Sequence, residues 1–110
     1  MRTLRFIVDG RDIKQDPSCS FNGLFPGTED TIKAEFAFSS EWKSVVKVIA
    51  FWSLMDKEYP PQVLNYDENA CMIPKEALAR PAFKIQILGK QNGRSFKTNM
   101  FTVYQRGGKT

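Results

Sequence analysis

The chain has 110 residues, enough for one domain and too few for two. With 42% hydrophobic and 25% charged residues it has an ordinary globular composition, which excludes wholesale disorder. The formal charge of +4 arises without a single histidine, which excludes Ser-His, Cys-His and His-metal chemistry together.

Taken in chain order, Thr3–Val8 alternates Leu4, Phe6 and Val8 against Arg5 and Ile7, which predicts a strand with one buried face. Asp9-Gly10 supplies the positive φ of a tight hairpin turn, and Asp12-Ile13 returns as a short second strand. Residues 14–27 are rich in Asp, Pro, Ser, Asn and Gly and predict a loop. So long a loop is the first place to look for binding. Its Phe21, Leu24 and Phe25 have two readings: anchors for a protein partner, or a plug in the open end of the fold.

Thr31–Phe38 gives the clearest alternation, with Ile32, Ala34, Phe36 and Phe38 on one side and Lys33 and Glu35 on the other. Ser39-Ser40-Glu41-Trp42 turns the chain and is expected to leave Trp42 as a partly buried corner residue. Val45–Leu54 is almost continuously apolar and β-branched, predicting a central strand buried on both faces, with Trp52 in the core. Asp56–Glu58 is a turn, and Pro60-Pro61 limits Gln62–Leu64 to a short edge strand. After the turn Asp67-Glu68-Asn69 comes a short strand, Cys71–Ile73. One helical turn follows near 74–79, started by Pro74 and stopped by Arg80-Pro81. Phe83–Leu88 and Ser95–Tyr104 form a hairpin about Asn92-Gly93. Residues 105–110, with Gly107-Gly108, read as a flexible tail after a single β domain over 1–104. Short strands separated by turns, with one helical turn, predict an all-β, mostly antiparallel sandwich, with a small barrel as the alternative.

The chemistry-bearing residues are sparse. Cys19 and Cys71 stand in unlike contexts, and without a signal peptide they predict free thiols, Cys71 serving as a small core hydrophobe. The carboxylates Glu29-Asp30, Asp56/Glu58 and Asp67-Glu68 fall at turns, where solvation explains them better than a shared cleft. Zinc ligands, phosphate-cradling glycine motifs and nucleophile elbows are missing, so no catalytic residue, metal or cofactor is expected. No stretch reaches the roughly 18 apolar residues of a membrane span.

Charge divides unevenly. Residues 1–69 carry eight basic and eleven acidic side chains, and residues 70–110 carry eight basic and one acidic. The basic part offers Lys84, Arg94, Phe96 and Lys97 as candidate nucleic-acid contacts, cations flanking an aromatic platform. The plainer reading is lysine on solvated strand faces. Phe6, Phe36, Phe38 and Phe83 are core by phase, whereas Trp42, Tyr59, Tyr66, Phe96 and Tyr104 lie at strand ends.

Several strings then occur in a telling order: Val8-Asp9-Gly10, Lys33 to Trp42, Val46 to Phe51, Tyr59, Cys71-Met72-Ile73-Pro74-Lys75-Glu76-Ala77-Leu78, Phe83 to Gly89, and Thr98-Asn99. Over residues 4–104 this resembles the small minor structural and tail-associated β-sandwich proteins of bacteriophages of Gram-positive bacteria. The resemblance implies an immunoglobulin-like sandwich and a non-enzymatic structural or adaptor role in the virion or its assembly. It implies synthesis in the host cytoplasm and phage structural proteins as partners. A phage inhibitor of a host defence protein, or a nucleic-acid module built on the C-terminal hairpin, are the alternatives.

Overall fold

A computed structural model describes residues 2–27, 31–65 and 67–105. Glu29-Asp30, Tyr66 and the tail after residue 105 therefore lie outside the described residues. Among the described residues nine strands build two sheets: β1 (Arg2–Asp9), β2 (Asp12–Gln15), β3 (Ile32–Phe38), β4 (Val46–Trp52), β5 (Gln62–Leu64), β6 (Ala70–Met72), β7 (Ala82–Gln91), β8 (Arg94–Lys97) and β9 (Phe101–Tyr104). An α-helical turn, α1, spans Lys75–Leu78, and Ser40–Trp42 winds into a 3-10 turn.

One sheet runs β2-β1-β3-β6 and the other β5-β4-β7, with β8 and β9 sharing the far edge of β7. The molecule is an all-β sandwich. Among the described residues every strand pairing but one is antiparallel; β1 and β3 run parallel, from Arg2 beside Ile32 to Val8 beside Phe38. β3 lies on the far side of β1 from β2, so the connection after β2 cannot be a hairpin turn. β2 ends at Gln15 beside Phe6 and β3 begins at Ile32 beside Arg2, so the chain passes beyond the start of β1 to reach its other edge. A connection longer than a tight turn is therefore first a topological requirement.

Alternation places Leu4, Phe6, Val8, Ala34 and Phe36 from one sheet against Ile49, Phe51, Phe83, Ile85 and Ile87 from the other. β4 departs from the expected burial on both faces. Ile49 and Phe51 point inward together with Lys47, while Val46, Val48 and Trp52 on the outer face are only half-buried. Trp52 is thus not in the core, and its indole N–H has no acceptor among the described residues.

Trp42 is not a partly buried corner but the largest fully buried side chain. Its indole N–H donates to the Gly10 carbonyl at 2.7 Å, and its ring lies 5.4 Å from that of Phe38 and 4.9 Å from that of Phe96. The close fit depends on Gly89, where a Cβ would stand 2.7 Å from the Phe96 ring and 2.9 Å from Trp42. Gly10 N–H donates to Ser39 Oγ, which in turn donates to Glu41, so the short polar residues lock this corner.

The last strand is interrupted at 98–100, and the break has a use. Asn99 Oδ1 accepts from the Ile13 N–H at 2.8 Å, and the Asn99 N–H donates to the Arg11 carbonyl at 3.2 Å. Two hydrogen bonds thereby join the outer edge of β2 to the opposite sheet. Asn92 and Gly93 both hold positive φ, 51° and 77°, as the β7–β8 turn requires.

Candidate docking site

At the end of the sandwich opposite Trp42, β4 runs into a tight hairpin. The Ser53 N–H donates to the Lys57 carbonyl at 2.8 Å, and Ser53 Oγ accepts from the N–H groups of Met55 and Lys57. Asp56 adopts φ 62°, which a short polar side chain tolerates, and the Asp56 N–H closes onto the Ser53 carbonyl. From the other side of the turn the Lys84 ammonium holds the Asp56 carboxylate at 2.5 Å. The Tyr59 N–H donates to Phe51, and Tyr59 itself is buried, which seats the returning strand.

This fixed turn presents Leu54 and Met55 to solvent, 52% and 89% exposed. Beside them opens a cleft of about 880 Å³, walled by the hairpin on one side and by Glu76, Ala79, Arg80 and Pro81 on the other. The second wall is equally fixed. Pro74 sets the backbone for α1, whose Ala77 and Leu78 are buried beneath it. The carbonyls at its C-terminal end find donors: Leu78 from the Gly27 N–H, and both Leu78 and Arg80 from Gln105 Nε2 at 2.8 Å. Gln105 is thus buried and bonded, although it reads in the sequence as the first residue of a tail.

The candidate loop residues do not act together. Leu24 is 2% exposed and joins the core, so it is not an exposed anchor. Phe21 packs edge-on against Phe6, with centroids 5.4 Å apart. Both plug the sandwich, and Arg2 pins the loop through the carbonyls of Ser20 and Asn22. Phe25 alone faces outward, 51% exposed, two residues before the Gly27 bond to α1.

The four candidate nucleic-acid contacts are dispersed. Lys84 and Lys97 lie in the outward phase of their strands, whereas Phe96 stands opposite Gly89, faces inward onto Trp42 and is capped by the Arg11 guanidinium. Lys84 is held by Asp56 near the start of β7; Arg94 and Lys97 pair with the last residues of that strand. A stacking platform flanked by these cations is not formed.

Two titratable groups are perturbed by burial. Lys47 lies inside, its ammonium donating to the Val45 carbonyl and resting 5.0 Å from the centroid of the Phe38 ring. Desolvation holds its pKa below the usual lysine value, against the opposing pull of Asp67. Burial pushes the Cys71 thiol up to about 12, which makes it a poor nucleophile. Both cysteines are free. Among the described residues no three of Cys, Asp and Glu converge on a metal position, and Asp56, Glu58, Asp67 and Glu68 are exposed at separate turns.

Leu54 and Met55 were within reach of sequence reasoning, as two apolar residues running into the acidic turn at Asp56. The apolar run before them disguises them as the end of a buried strand. Comparison of the sequence with protein-family models and with curated proteins returned no match.

Proposed function

We propose that this chain is a non-enzymatic structural or adaptor domain of a bacteriophage, acting by docking to other protein subunits. The observation that supports it best is the preformed apolar surface formed by Leu54, Met55 and the adjacent cleft. An anchor already held by Ser53 and Asp56 loses little conformational freedom on binding, which is what a docking element needs. Exposed side chains of this kind mark protein contacts when they sit beside a recess. The phage assignment rests on the ordered strings between residues 4 and 104.

Mass spectrometry of purified virions of the encoding phage tests this reading. The chain is expected in the particle, and Met55→Asp is expected to fold normally yet fail to enter it. Absence of the wild-type chain from intact particles overturns the structural role and redirects attention to a host-protein target.

A further inference from the structure

We infer that the occupant of the cleft is a second copy of this chain, in a two-fold pair where the Leu54–Met55 tip of each copy enters the cleft of the other. This rests on the docking reading and names its partner. A two-fold contact brings one patch against itself, so that patch must supply both protrusion and recess. Here it does: the hairpin carrying Leu54 and Met55 is also one wall of the cleft.

The rim charges point the same way. Lys57 and Glu58 stand on the hairpin wall, Glu76 and Arg80 on the helical wall. All four are exposed, and none has an ion-pair partner among the described residues. The rim is neutral, with two charges of each sign, on a chain of formal charge +4. A surface selected by an acidic partner would carry the basic excess of the chain here. A two-fold axis instead sets the hairpin of one copy against the helical wall of the other. In the proposed pair this lets Lys57 meet Glu76 and Glu58 meet Arg80, twice over. Such complementarity fixes register and excludes unlike partners more than it adds affinity.

Sedimentation equilibrium of the full chain, from roughly 1 µM to roughly 1 mM, covers the range of weak to moderate self-association. The mass is expected to rise from 12.6 kDa toward twice that value. Met55→Asp should weaken the pair by roughly tenfold or more, with an unchanged thermal midpoint. Glu58→Arg and Arg80→Glu should each weaken it, and the double variant should recover it, because the reversed pair is again complementary. A single 12.6 kDa species at every concentration overturns the inference, as does a dimer indifferent to Met55→Asp or a double variant no better than either single one. The virion measurement stays independent. A chain present in particles but monomeric throughout keeps its docking role and loses the second copy as its partner.

Discussion

Where β4 begins and β7 finishes, Phe38, Trp42 and Phe96 pack ring against tilted ring beside Gly89. Where β4 finishes and β7 begins, Leu54 and Met55 stand beside an open cleft. The same two strands, paired from Val46 beside Lys90 to Trp52 beside Lys84, therefore end once in an aromatic cluster around the buried Trp42 and once in an exposed recess. Burial of large rings concentrates stabilisation at the first end. The second is kept rigid by hydrogen bonds and an ion pair, which leave its apolar side chains unspent. The comparison teaches that order and burial are separable: Met55 is well placed without being covered.

If the closed end carries the stability, Trp42→Ala should show the largest effect, a loss of about 3–5 kcal/mol. Chemical denaturation measures it, and an unchanged midpoint would break the comparison outright. Gly89→Ala should cost about 1–3 kcal/mol, since its Cβ would overlap two rings, one of them the fully buried Trp42. Gly93→Val, in the turn beyond the same end, should cost more than about 1 kcal/mol, because a β-branched residue resists positive φ.

Lys47, against Phe38, sharpens the contrast through pH. Its folded pKa lies below that of the unfolded chain, so the unfolded state holds more protons as alkali is added. Stability should therefore rise from the lowered folded value up to about 10.5, the ordinary value for lysine, and Lys47→Met should flatten that rise in pH-dependent thermal melts. At the open end, Met55→Asp should change stability by no more than about 0.5 kcal/mol, since the side chain is already in water.

Much of the fold is legible in short windows. Alternation in Thr3–Val8, Thr31–Phe38 and Phe83–Leu88 locates β1, β3 and β7, and Asn92-Gly93 marks its turn. Alternation carries no strand direction, however, so the parallel pairing of β1 and β3 is invisible in it, and the loop at 14–27 reads as functional from its length and its apolar Phe21, Leu24 and Phe25. The phase of β4 was hidden because Val46 and Val48 make its outer face apolar as well, and Lys47 turns inward against the usual preference of its charge. The candidate site was the least legible part. Its walls lie some twenty residues apart and meet only through the β4–β7 pairing, which no local pattern encodes.

The hydrogen bonds from Asn99 to Arg11 and Ile13 have a consequence for a chain still being made. β2 is complete within the first fifteen residues, yet the Ile13 N–H and the neighbouring Arg11 carbonyl meet their partner only once residue 99 has emerged and folded back. Until then an unsatisfied strand edge faces the surroundings and invites pairing with another chain. Contacts spanning this much sequence form slowly. Truncation before Asn99 should therefore favour aggregation, where the intact chain ties that edge down with its own Asn99.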